Sequence, residues 1–269
     1  MGAVGIQETD LARTRKACAR LVVVERTGST NRDLVDAASA DPSGWPHLSV
    51  LLTDEQTAGR GRQGRTWQAA PGTSLAVSVL LRPDQLPGDL PIGAFGWLPL
   101  LAGVAMKRAV AAQGATAAEL KWPNDVLIAG RKVCGILAEL LPDAAGVVVG
   151  SGINLTMTEA QLPVPTATSL ALAGVAAPDA DALLADYLTG LSTLVSELAN
   201  AGGDADAAGI RPLVERECAT VGRDVRIELP DGAVRETRAT GLDGDGRLVV
   251  ITDDGTASVA AGDVTHLRY

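Results

Sequence analysis

An α+β fold is what this sequence predicts: a central mixed or antiparallel sheet with flanking helices, followed by a small β-barrel. Strand-like and helix-like stretches mix up to about residue 217 without the regular β-α alternation of a parallel sheet. After Cys218 the texture changes to short alternating strands separated by DG, DGDG and DDG turns. Hydrophobic residues make up 46% of the 269, enough for a full core in one large domain and one small one. Aromatics are only 3%, so alanine, valine and leucine must fill that core. The boundary falls near 217, giving units 1–216 and 217–269.

Residues 1 to 20 read as an arm or one weak helix. LVVVERTGSTN supplies a strand of buried type and a turn at Gly28, and Ser29 and Thr30 are good helix caps with Asp33 completing a capping box. Leu34, Val35 and Ala38 form the apolar face of the short helix that DPSGWP breaks. HLSVLLTDEQ and TSLAVSVLLRP are two further strands, with a basic loop between them. From Gly93 to Gln113 the spacing of Trp97, Leu100, Leu101, Val104 and Val110 is helical, and Gly114 is a stop. KVCGILAELLP and GVVVGSGINL pair around DAAG. From Asp179 to Asn200 eight apolar residues, Leu183 to Leu198, line one face of a long helix, and a shorter helix bears Leu213 and Val214. GRDVRIEL, AVRETRATGL, GRLVVIT and TASVAAGDV are the barrel strands.

Charge and cysteine content narrow the function. A formal net charge of -9 argues against a general nucleic-acid binder, which needs a broad basic face. The three scattered cysteines suit reduced thiols in the cytoplasm. No apolar run is read as a membrane span, and the N-terminus lacks the apolar core of a signal peptide.

Against that acidic background, TAGRGRQGRTW (57–67) crowds Arg60, Arg62 and Arg65 among three glycines. Forked guanidinium donors on a backbone free to close tightly suit a small phosphate-bearing ligand. GRGRQG also matches the dinucleotide fingerprint, but Pro71-Gly72 and another strand follow where that fingerprint needs a helix. The other reading is an exposed basic turn. In KWPNDVLIAGRKVCGILAEL (121–140), Pro123 holds Trp122 out of helical geometry and leaves Lys121 at the edge of a sheet. A fixed ammonium there could neutralise a carboxylate and a phosphate as they approach, whereas an isolated lysine is ordinarily just solvated. AGRK (129–132) reads as a plain hairpin turn.

Together these segments resemble the biotin protein ligases. GRGRQGRTW matches their adenylate-binding loop, KWPNDV with GRKVCGILAEL matches a second block, and GSTN (28–31) and GSGINL (150–155) add two more in the same order. The resemblance runs from about residue 21 to the C-terminus. It implies a class II synthetase-like catalytic domain and an SH3-like C-terminal barrel. It implies activation of biotin by ATP and Mg²⁺ to biotinyl-5′-AMP, then transfer to a lysine of a biotin carboxyl carrier domain. In that resemblance Ser29, Thr30, Asn31 and Gln56 line the biotin pocket, with Arg60, Gly61 and Arg62 ordering over biotin and adenylate. Lys121 touches biotin at the reacting centre, and Lys121 and Arg62 are the catalytic pair. Arg60, Arg62, Arg65, Trp67 and Asn124 neighbour the nucleotide. No protein-held metal is expected, and His47 and His266 are read as ordinary residues. Barely twenty residues precede the first strand, so the monofunctional group is expected, with no operator DNA and no membrane partner; a homodimer is allowed. The competing readings are a lipoate ligase of related fold and a non-catalytic ligand-binding or repressor protein.

Overall fold

A computed structural model describes residues 5–229, 232–260 and 262–267. The N-terminal arm holds one short helix, α1 (Ala12–Lys16), pinned where Asp181 accepts hydrogen bonds from the backbone of Arg13 and Thr14. Nine strands and three longer helices follow: β1 (Arg20–Val23), α2 (Thr30–Ala40), β2 (Ser49–Thr53), β3 (Gly59–Arg60), β4 (Thr66–Trp67), β5 (Ser74–Leu81), α3 (Leu98–Ala112), β6 (Ala118–Lys121), β7 (Asp125–Ile128), β8 (Arg131–Leu140), β9 (Val147–Asn154) and α4 (Ala180–Asn200). Seven strands make one sheet in the order β1-β2-β5-β9-β8-β7-β6. Only β1 and β2 run parallel; the other neighbours are antiparallel.

Side-chain alternation divides this sheet into two unlike faces. Val50, Leu52, Val77, Val79, Val147 and Val149 point to α3 and α4, whose buried Leu101, Val104, Leu184, Leu188 and Leu191 complete the main core. Leu51, Leu80 and Val148 point the other way, onto Leu34 and Ala38 of α2. Burial of each such side chain contributes about 1.5–3 kcal/mol. The long helix starts as expected, with the Asp179 carboxylate accepting from Ala182 N at 3.0 Å.

Three local expectations change. β1 is the sheet's edge and only half-buried, because nothing pairs beyond it among the described residues. The capping box of Thr30 with Asp33 does not form, since Asp33 is taken by the Thr27 hydroxyl and the Thr30 amide by Gln56 Oε1 at 2.9 Å. The helical run Ile92–Ala112 is long and apolar enough to cross a membrane by composition, and two thirds of it is buried inside the protein as the core helix.

The chain then forms α5 (Ile210–Glu217) and a five-stranded antiparallel sheet of β10 (Asp224–Glu228), β11 (Val234–Leu242), β12 (Leu248–Thr252), β13 (Gly255–Val259) and β14 (Asp263–His266). Its order is β13-β12-β11-β10-β14. The expected barrel strand TASVAAGDV is in fact two, β13 and the start of β14, at opposite edges and unpaired with each other among the described residues. Two indoles fasten this sheet to the main domain: Trp97 Nε1 donates to Gly244 O (2.8 Å) and Trp122 Nε1 to Gly246 O (3.1 Å).

Candidate active site

On the α2 side of the sheet the apolar face runs out within two residues. β5 presents Leu80, then Ser78, then Ala76; opposite them β9 presents Val148, Gly150 and Gly152. Gly135 of β8 lies beside Gly152. Where bulk gives way to hydroxyl, methyl and hydrogen, a pocket of about 150 Å³ opens. The glycines are required: a Cβ on Gly150 would meet Asn31 Oδ1 at 2.1 Å, and one on Gly152 would meet the Trp67 indole at 2.5 Å.

The closed end of the pocket is polar. Gln56 Oε1 accepts from the Thr30 amide and lies 3.2 Å from Thr30 Oγ1. Ser78 Oγ donates to Asn31 Oδ1 at 2.6 Å and lies 2.8 Å from Thr30 Oγ1. Asn31 Nδ2 donates to Leu137 O (3.0 Å) and to Glu139 Oε2 (2.9 Å).

The arginine–glycine segment is a short hairpin against the pocket, with a strand and no helix after its third glycine, so the dinucleotide reading fails as expected. β3 and β4 pair as a short hairpin around a turn, Arg62–Gly64, in which Gln63 and Gly64 take positive φ of 55° and 72°. Each arginine is tethered differently: Arg60 to Glu139, Arg62 Nη1 to Asn124 Oδ1 at 3.2 Å, and Arg65 to Asp263 of β14. Burial holds the Arg62 guanidinium below its ordinary range; Asp125 opposes that shift and Arg65 adds to it.

Ten of the eleven residues singled out from sequence line this pocket: Ser29, Thr30, Asn31, Gln56, Arg60, Gly61, Arg62, Arg65, Trp67 and Asn124. Lys121 does not. Lys132 stands in the wall instead, its Nζ 2.6 Å from Asp125 Oδ1. The cause is a β-bulge. Leu127 pairs with Lys132 and Val126 with Cys134, so one extra residue, Val133, turns Lys132 onto the face that carries Asp125 and Gly135. Lys121, across from Asp125 on the edge strand, lies just behind. Burial lowers its pKa first of all; Asp125 opposes this, while Lys132 and Arg65 add to it. Four cations, Arg62, Arg65, Lys121 and Lys132, thus gather near two carboxylates, Asp125 and Asp263, a surplus of positive charge that favours an anionic guest.

A second cavity, of about 370 Å³, adjoins the first through Arg62, Asn124, Ile136 and Leu137. Its far wall is the turn Asp245–Arg247 of the C-terminal sheet; Pro99, Leu100 and Trp122 give it an apolar side, and Arg62, Asn124, Asp245 and Arg247 a polar one. No local pattern points to Asp245 or Arg247, because their place depends on how the two sheets dock.

Comparison with known proteins fits this geometry. A sequence profile described as "Biotin/lipoate A/B protein ligase family" matches residues 23–154, and one described as "Biotin protein ligase C terminal domain" matches 220–267. The biotin--[acetyl-CoA-carboxylase] ligase of Mycobacterium tuberculosis is 41% identical, covering 93% of this chain and 90% of that one. The bifunctional ligase/repressor BirA of Bacillus subtilis is 29% identical over 81% of this chain and 66% of its own length. Among solved structures, the biotin protein ligase from Aquifex aeolicus in complex with biotin and ATP superposes with a TM-score of 0.73 at 24% identity, over 93% of this chain and 100% of that one. With its profile matches, shared architecture and identity over nine tenths of a curated relative, the chain belongs to the biotin protein ligase family.

Proposed function

We propose that the protein activates biotin with ATP and transfers it to a lysine of a biotin carboxyl carrier domain. The observation that carries this reading is the junction of two cavities at Arg62: a small one with a polar end, and a larger one beyond it of mixed polar and apolar lining. Biotin's ureido ring offers both donors and acceptors to Gln56, Thr30, Ser29 and Asn31, and its carboxylate would then point back toward Lys132 and Arg62. The nucleoside takes the second cavity, beside Asn124, with Arg65 reaching the phosphate from the first, Arg60 and Gly61 closing over the adenylate, and Trp67 covering the ligand from its glycine floor. The division into a catalytic unit, 1–216, and a C-terminal unit, 217–269, follows the same logic, since the second unit supplies one wall of the nucleotide cavity.

The chemistry needs no protein nucleophile. A biotin carboxylate oxygen attacks the α-phosphate and pyrophosphate leaves; the acceptor amine then attacks the acyl carbon and AMP leaves. The side chains neutralise charge and hold the reactants in line. We assign the central ammonium to Lys132, with Arg62 bridging the two cavities and Lys121 acting through the shared Asp125 field. The carboxylates facing the cavities, Asp125, Asp263 and Asp245, each already carry a basic partner, Lys132, Arg65 and Arg247. Mg²⁺ would therefore enter on the polyphosphate and would supply charge to offset that of the leaving group. A cytoplasmic setting and a carboxylase carrier as partner complete the reading.

Lipoate is the alternative acid. Its dithiolane ring has no N–H or C=O with which to join the hydrogen-bonded set of Gln56, Thr30, Asn31 and Ser78, as a ureido ring can. The test is ATP–pyrophosphate exchange with Mg²⁺ and biotin, lipoate or neither. Exchange that requires biotin is expected. Exchange only with lipoate would move the assignment, and none with either acid from folded protein would end it.

A further inference from the structure

We infer that Glu139 is a positioning residue for the transfer reaction: it draws the arginine–glycine hairpin down over the pocket by joining Arg60 to Asn31. This rests on the biotin-ligase reading above. Glu139 lies near the end of β8, on the pocket-facing register of Gly135 and Leu137 but beyond the cavity wall. One carboxylate oxygen takes the Arg60 guanidinium. The other accepts from Asn31 Nδ2 at 2.9 Å.

Asn31 is a firm anchor. It is 5% exposed, and its amide also donates to Leu137 O and accepts from Ser78. Arg60 is the last residue of β3, shortly before the turn that carries Arg62. Fixing Arg60 therefore fixes where that turn sits relative to the junction of the two cavities. The Glu139 side chain is 24% exposed and that of Arg60 40%, so the pair is shielded on one side yet within reach of salt. Arg65 tethers the other end of the hairpin to Asp263, but from the C-terminal sheet; Glu139 supplies the tether within the catalytic unit. A Glu139→Gln side chain keeps an acceptor for Asn31 and removes the charge that holds Arg60. The loss then falls on the lid and spares the pocket's polar end.

The experiment loads full-length protein with labelled biotin, ATP and Mg²⁺ in the absence of carrier. It follows release of labelled biotinyl-AMP during a chase, and trypsin cleavage within 60–65 on the same samples. Release and cleavage about fivefold faster in Glu139→Gln than in wild type are expected, the scale of one partly shielded charge-assisted hydrogen bond. Raising salt to about 0.5 M should carry the wild type toward the variant and change the variant little. The salt series on wild-type protein stands even if the variant folds poorly. Release and cleavage indifferent to both the substitution and salt would overturn the inference. A wild type that makes no biotin-dependent adenylate would instead defeat the functional reading.

Discussion

Lys132 shows how a residue can stand in the wall of a candidate site while looking ordinary in sequence. It sits in AGRK, which reads as a hairpin turn, and strict alternation along β8 would send it into the core with Cys134 and Ile136. The bulge at Val133 reverses that assignment. Lys132→Ala should therefore lower the rate of biotin-dependent pyrophosphate exchange by about a hundredfold or more, the scale of removing one charge aimed at a reacting centre. Lys121→Ala, which removes a charge one row back, should cost about tenfold or less, the reach of a part-screened neighbour. Equal losses in the two variants would put both lysines at the reacting centre. The GSTN turn, Gln56 and the arginines were legible because their motifs are contiguous and their chemistry is local. Ser78 was not, and Gly135, Gly150 and Gly152, though inside matched motifs, had no role to read, because small residues in a strand announce a cavity only when three strands are laid side by side.

At the scale of elements, the lid and the end of α2 make separate claims. The β3–β4 hairpin is short and glycine-rich, so its closure depends on its arginines rather than on its own pairing. Arg62→Gly should loosen it and let biotinyl-AMP escape, so that lysines outside the carrier become labelled; labelling confined to the carrier would remove Arg62 from the lid's task. At the other end of α2, Arg82 is 4% exposed and donates to Trp45 O (2.8 Å) and Ala38 O (3.2 Å), capping the helix's last turn. Arg82→Met should destabilise the fold by about 2–3 kcal/mol, seen as a lower midpoint in urea, since it strips charge-assisted bonds from buried carbonyls. His47 supports the same corner by accepting the Arg82 amide at Nδ1 (3.1 Å). Burial lowers its pKa below the usual 6.5, with Asp84 opposing. The unfolded chain thus binds the extra proton first. Its share of stability is complete above 6.5 and lost as pH falls through that value and the lower folded one. Thermal midpoints measured from about pH 7.5 to pH 5 should fall less steeply in His47→Gln than in wild type.

At the scale of the whole molecule, the strand texture after Cys218 marked a second unit but not what it touches. The reason is physical: the docking rests on a turn with two glycine carbonyls and on indoles far away in sequence, Trp97 and Trp122. Closeness of approach makes this joint sensitive. A Cβ on Gly96 would stand 2.5 Å from Asp245 O, a backbone atom that cannot swing aside. Gly96→Ala should push the Asp245–Arg247 turn off the second cavity while leaving β5, β8 and β9, which make the floor of the first, untouched. The KM for ATP in pyrophosphate exchange should then rise by about tenfold, which corresponds to removing roughly one well-made hydrogen bond. Biotin affinity, measured by titration without nucleotide, should stay within about threefold of wild type, because none of the pocket's polar end comes from the C-terminal sheet. A matched fall in both affinities would mean that the C-terminal sheet shapes the biotin pocket as well. Its route would be the Arg65–Asp263 tether, the one ion pair through which β14 reaches the lid among the described residues.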